Sequence, residues 1–205
     1  MILTDATDSL CRMLRPVLPD RGAVFAGSLA HWQASAAESS SGIGLFLHRV
    51  EEVPTGLGGD WYDVRDDAGR VVARGGPVRR FRLGYVLWTW SQDGPQEETR
   101  LLSGALEVLA THHQLPDSCL TGTLAQGAGP ARLTVAPEGL APPDGLWTAA
   151  GLAHRSTLQV ALSVDLVPAT VAPAPLVEER RLRTVPTTAR RGSGPGGPVR
   201  TDQRR

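Results

Sequence analysis

The sequence contains no lysine and no asparagine, so all 21 of its basic side chains are arginine. With alanine, glycine and proline heavily used, this bias reflects the coding habit of a GC-rich genome more than a demand of the fold. The two cysteines, Cys11 and Cys119, stand in neither a CxxC nor a Cys/His cluster, which excludes a disulfide framework. No stretch approaches the ~18 consecutive apolar residues needed to cross a bilayer. The opening MILTDATDSL carries acids where a secretory signal has basic residues and a long apolar core, so the chain is expected to be cytoplasmic. Net charge is also missing: 21 Asp and Glu cancel the arginines, and nothing general points to nucleic acid or a membrane surface.

What remains is a globular composition, 41% hydrophobic and 20% charged, in 205 residues. That length accommodates one domain with a sizeable core plus a tail. Residues 1–168 read as the domain. Residues 169–205, rich in Pro, Gly and Arg and ending RRGSGPGGPVRTDQRR, lack core-forming side chains and read as a disordered tail.

Within the domain, Thr4 or Asp5 is placed to cap a first helix whose Ala6, Leu10, Met13, Leu14 and Val17 share a face, ended by Pro16 and Pro19. Ala23 to Ala26 forms a short strand, and the polar stretch His31 to Gly42 reads as a mobile loop. Ile43 to Val50 is apolar on both faces, as an interior strand is. GLGGD at Gly56 to Asp60 reads as a turn, and the following segment as a hairpin turning at Asp66, Asp67, Ala68 and Gly69. Beyond Pro116 come two short segments, a short helix near Leu146 and Trp147, and the clearest strand, Ser156 to Val167, where Leu158, Val160, Leu162, Val164 and Leu166 alternate with smaller or polar residues. The fold class is therefore α+β, a sandwich-like mixed, mainly antiparallel sheet packed with a few helices.

Signatures of chemistry are wanting. His112 and His113 are adjacent on a helix pattern, about 100 degrees apart, so they cannot grip one metal ion as an i, i+4 pair does. Ser103 lies inside a helical stripe and not on a strand-to-helix elbow. The loop Gly56 to Asp60 leads into a strand pattern instead of a phosphate-cradling helix. Asp60, Asp63, Asp66 and Asp67 lack the spacing and final glutamate of a calcium loop. These readings assign no catalytic residue, no metal and no cofactor.

The richest block is RRFRLGYVLWTWSQDGPQEETRLLSGALEVLATHHQLP, from Arg79 to Pro116. Its strand places Phe81, Leu83, Tyr85 and Leu87 on one face and Arg80, Arg82, Gly84, Val86, Trp88 and Trp90 on the other. Its helix, Gln96 to His113, carries Leu101, Leu102, Ala105, Leu106, Val108, Leu109 and His112 in one stripe. Of Trp88 and Trp90, one is expected in the core and the other at its rim. Trp and Arg favour interface centres, so Arg79, Arg80, Arg82, Trp88, Trp90 and Arg100 are the candidate contact residues.

The order MILTDATDSLCRMLRPVLP, GIGLFLHRVEEV, FRLGYVLWTWSQD, EETRLLSGALEVLATHHQLP, LWTAAGLAHRSTLQVALSVDLVP resembles the N-terminal domain of the cap protein of contractile injection systems, of the Photorhabdus virulence cassette and antifeeding prophage kind. The resemblance covers about Met1 to Pro168. Its most specific pieces are Leu83, Tyr85, Thr89 and Trp90 on the strand and Glu98, Leu101, Leu102, Ala105, Leu106 and Leu109 on the helix. It implies a tail-terminator-like fold and a structural, non-enzymatic, cofactor-free role. The implied homo-oligomer is a hexameric ring that closes the tube and sheath of a phage-tail-like particle, distal to the baseplate, with sheath and inner-tube proteins as partners. The other reading is a small adaptor whose basic tail tethers an acidic partner.

Overall fold

The computed structural model describes residues 1–29, 31–54, 60–127, 129–142 and 145–172. Helix α1, Ile2–Leu14, begins ahead of the expected Thr4 or Asp5 cap, with Met1 at its N-cap and no side-chain cap bond. Asp5 serves another helix instead: its carboxylate accepts the Thr123 amide at 2.9 Å and the Thr123 hydroxyl at 2.6 Å, at the start of α4, Gly122–Ala125. Ser9 and Thr121 reinforce the joint, both hydroxyls donating to the Asp5 carbonyl. Ala6, Leu10, Met13 and Leu14 are buried, as their spacing predicts, and Pro16 turns the chain through a short 3₁₀ segment.

Strand β1, Gly22–Ala26, pairs in parallel with β2, Ser41–Val53. Parallel neighbours need a crossover, and the stretch expected to be a mobile loop supplies it: Trp32–Glu38 forms α2. Trp32 is buried and Ala36 packs beside the same cluster, an i, i+4 pair that seats a helix otherwise made of small and polar residues. From β2 the chain enters the hairpin β3, Tyr62–Arg65, and β4, Val71–Gly75, a two-stranded sheet of its own. Asp66 shapes its turn by accepting the Ala68 and Arg70 amides.

Strand β5, Arg79–Ser91, returns through the centre of the main sheet, whose order is β1-β2-β5-β7-β6 with β6 at Arg132–Val135 and β7 at Thr157–Leu166. Every pairing except β1 with β2 is antiparallel. The architecture is thus α+β, a mainly antiparallel sheet with a few helices. Helix α3, Pro95–Ala110, packs with α1 on one face, where Leu83, Tyr85 and Leu87 meet Ala105 and Leu109 in the larger core, and Leu101 is buried on the same helix. The stripe is narrower than the sequence implied. Leu106 is 43% exposed, and the helix ends before His112, which is half-buried with Nδ1 2.9 Å from the Val108 carbonyl.

The opposite face holds a second core at one end of the sheet, built from Leu29, Trp32, Trp88, Trp90 and Trp147, the last from α5, Leu146–Ala149. Cross-strand register makes room for the rings: Gly44 faces Trp88 and Gly42 faces Trp90. A Cβ on either glycine would fall inside the opposing indole. Of the expected unstructured tail only residues 169–172 are described; the rest, and the turn at 56–59, lie outside the described residues.

Candidate assembly surfaces

The six candidate contact residues fall into three situations. Trp88 and Trp90 are 0% and 4% exposed, so both fill the second core and neither reaches a rim; the expectation for one of them is corrected by the glycines opposite, which let both rings lie flat on the sheet. Arg79, Arg80 and Arg100 are already paired within the chain. Arg79 forks onto Glu52 and lies over the Phe81 ring, Arg80 holds Asp165 through contacts of 2.6 and 2.8 Å, and Arg100 holds Glu97 one helical turn away. Hydrogen bonding and charge within these pairs hold the Glu52 and Glu97 carboxyls below their usual value. Arg82, half-buried beside them, makes no ion pair among the described residues.

By alternation Arg80 and Arg82 share the face of the second core but lie at the other end of β5. Between the two regions Leu140 covers Gly84, its Cδ1 2.8 Å from where a Cβ would stand, and Arg49 donates to the Gly139 carbonyl at 3.0 Å. This face is apolar and roofed at one end and charged at the other. Glu98, on the sequence block that carries the resemblance, has a structural role. Its Oε1 accepts Arg155 at 2.9 Å while Arg155 stacks over Trp32 at 4.8 Å, which ties α3 to the second core.

The second core has a cost. Among the described residues the buried indole nitrogens of Trp32, Trp88 and Trp90 have no hydrogen-bond partner, each a loss of ~1–3 kcal/mol. Edge-to-face contacts, Trp32 with Trp88 at 6.3 Å and Trp88 with Trp147 at 5.6 Å, offset part of it, at about 0.5–1.5 kcal/mol each. The thiol of Cys11 is pushed up to about 12 by burial, with Asp8 adding to the shift, and so is a poor nucleophile. One surface cleft of about 530 Å³, lined by Met1, Ile2, Thr123, Asp165, Leu166 and Val167, gathers a single carboxylate that Arg80 already neutralises. Among the described residues no group of three or more His, Cys, Asp or Glu could hold a metal ion. No helix there is long and apolar enough to cross a membrane.

Sequence reasoning missed the apolar residues of the hairpin. Trp61 is 58% exposed, with Tyr62 and Val72 about half exposed on β3 and β4. The signal was available, since two adjacent aromatics at the start of a short hairpin cannot both face inward.

Comparison with known proteins gives the family and the fold. The family model described as Pvc16 N-terminal domain matches residues 5–179. The chain belongs to this family. No curated protein matches this Pvc16 N-terminal domain chain. Among solved structures it is similar to the PVC sheath/tube terminator of an extracellular contractile injection system in its extended state, with 19% identity and a TM-score of 0.57 over 89% of this chain and 64% of that one. It is also similar to the tube terminating cap of the anti-feeding prophage, with 17% identity and a TM-score of 0.56 over 89% of this chain and 61% of that one. The chain therefore spans less than two thirds of the proteins it resembles, and the likeness is one of fold.

Proposed function

We propose that this Pvc16 N-terminal domain chain is a structural cap of a phage-tail-like contractile injection system. It sits on the tube and sheath at the end distal to the baseplate and stops their polymerisation. The observation that carries the reading is the shared fold along 89% of the chain with a sheath/tube terminator and with a tube terminating cap. Termination is a matter of geometry, in which one surface fits the last ring of a growing polymer and another offers nothing for the next ring to dock on. It requires no cofactor and no catalytic group. Closed head-to-tail contacts between copies would give a ring, proposed here as sixfold and assembled in the cytoplasm. The outer edge of β1 is a place where a sheath or tube segment could add a strand, whereas that of β6 is already bridged by residues 113–115.

The test is deletion of the gene in a strain that makes the particle, followed by electron microscopy. Tubes of uneven or excessive length, restored to uniform length by the wild-type chain, are expected. Particles of normal length and intact distal ends from the deletion strain would end this reading.

A further inference from the structure

The block expected to carry ring contacts is largely interior: its tryptophans lie in the second core and three of its arginines are paired within the chain. A ring nonetheless requires each copy to hold the next, and the exposed apolar side chains outside this block offer a second candidate contact surface. Exposed apolar side chains are concentrated around the hairpin, though not all on one face: Tyr62, paired with Gly75, points to the opposite side of the hairpin from Val72. Trp61, Tyr62, Val72, Val78, Val167 and Val171 are between 39% and 58% exposed. They belong to the β3–β4 hairpin, its exit, and the chain that leaves β7.

These segments are neighbours in space as well. Arg74 and Val171 exchange both backbone hydrogen bonds, each 2.8 Å. A Cβ on Gly76 would stand 3.4 Å from Pro168 Cγ and 3.8 Å from the Trp61 ring, and Tyr62 lies across Gly75. The hairpin arginines are ion-paired in place, Arg65 and Arg74 sharing Asp63 and Arg70 on Asp66. With Asp60 and Asp67 the stretch 60–78 has four acids against three arginines, so it mixes apolar side chains with paired charges and has no surplus of positive charge to attract an acidic partner.

Size selects the occupant. With roughly 150–250 Å² of surface for an aromatic side chain, Trp61 and the four valines leave on the order of 400 Å² of apolar surface in water. This is the size of the largest patch on an ordinary monomer, a kind that is often functional, and about half of the ~800 Å² per partner of a stable interface. Permanent contacts between copies of one chain are the more apolar class of interface. A two-stranded hairpin is also only marginally stable by itself, so docking would hold it in place.

We propose that the hairpin of residues 60–78, with residues 167–171 beside it, is the face by which one copy of this chain docks on a second copy. The inference rests on the cap reading in one respect, that copies form a ring. It is heterologous: the hairpin of one copy meets a different surface on the next, as a closing ring requires.

The experiment compares the full-length chain with Trp61→Asp and Val72→Asp by sedimentation velocity across a concentration series, with Leu106→Asp as a control that alters an exposed leucine outside the patch. Circular dichroism and the urea midpoint establish that each variant folds. The wild type and Leu106→Asp are expected to assemble alike. Both hairpin variants are expected to need at least about tenfold more protein for half-assembly. The proposal is overturned if the wild type stays monomeric throughout, or if both folded hairpin variants assemble as the wild type does. It is equally overturned if they assemble normally but no longer bind purified tube ends, since the occupant would then be a tube or sheath subunit. Hairpin variants that both assemble and cap tube ends sink this inference and leave the cap reading standing, whereas a wild type that assembles but binds no tube or sheath end does the reverse.

Discussion

At the scale of single residues, the second core depends on two glycines. Gly42 and Gly44 face Trp90 and Trp88 across the β2–β5 ladder, and a methyl group at either would enter the indole plane. Gly44→Ala is therefore expected to lower the unfolding free energy by about 1–3 kcal/mol, the usual cost of overpacking. It should show as a lower urea midpoint with an unchanged slope; an unaltered midpoint would mean that the rings move aside freely. A second residue governs pH dependence. His48 lies at the β2 bulge with Nε2 buried and without a partner among the described residues, and burial, with the neighbouring Arg49 charge, depresses its pKa below 6.5. The unfolded chain then takes up a proton before the folded one, so stability is full above about pH 6.5 and declines as the pH falls toward the folded value. Replacing the ring by His48→Gln is expected to flatten the urea midpoint between about pH 7.5 and 5.5. Equal slopes for wild type and variant would remove His48 as the cause. The Asp5, Glu52 and Glu97 carboxyls, held low chiefly by hydrogen bonds from Thr123, Arg79 and Arg100, contribute stability that is full above the ordinary carboxylate pKa and is lost as the pH falls from there through their lower folded values.

At the scale of elements, α3 shows how far a sequence pattern reaches. Its leucines recur at helical spacing, but the stripe that touches the sheet is Leu101, Ala105 and Leu109, with Leu102 and Val108 at its margins and Leu106 in water. Leu109→Ala is expected to cost about 2–5 kcal/mol, as buried leucine truncations do. Leu106→Ala should stay within about 0.5 kcal/mol, as exposed positions do. Comparable losses at both positions, read by chemical denaturation, would mean that the helix packs on a face wide enough to include Leu106. The strands β2, β5 and β7 and the turn at Asp66 were legible because alternation and Asx chemistry are local signals. Helix α2 was not, because Gln, Ser and Ala form no apolar stripe and its anchor is the single pair Trp32 and Ala36. The detachment of the hairpin from the main sheet was equally hidden, since period-two alternation gives the faces of a strand and not the sheet it joins. Thr4 or Asp5 is expected from the sequence to cap α1, whose N-cap is Met1; Asp5 instead holds Thr123, a partner so distant in sequence that only the folded chain reveals it.

At the scale of the whole molecule, the question is whether the arginine-rich end takes part in assembly. Residues 1–173 and 174–205 form separate units. Both cores, the sheet and the apolar hairpin surface belong to the first, and the family match ends at residue 179. Removing residues 184–205 thus deletes Arg190, Arg191, Arg200, Arg204 and Arg205 without touching any of them. A cap that docks by shape should keep its urea midpoint within about 0.5 kcal/mol and its assembly at moderate salt. An adaptor that tethers an acidic partner by charge should lose binding on truncation, and the full-length chain should already weaken as salt shortens the reach of its arginines to about 8 Å or less. Sedimentation of the two chains at low and high salt separates these outcomes. Equal assembly by both at either salt concentration places the determinants in residues 1–183, whereas loss on truncation transfers them to the removed end and favours the adaptor.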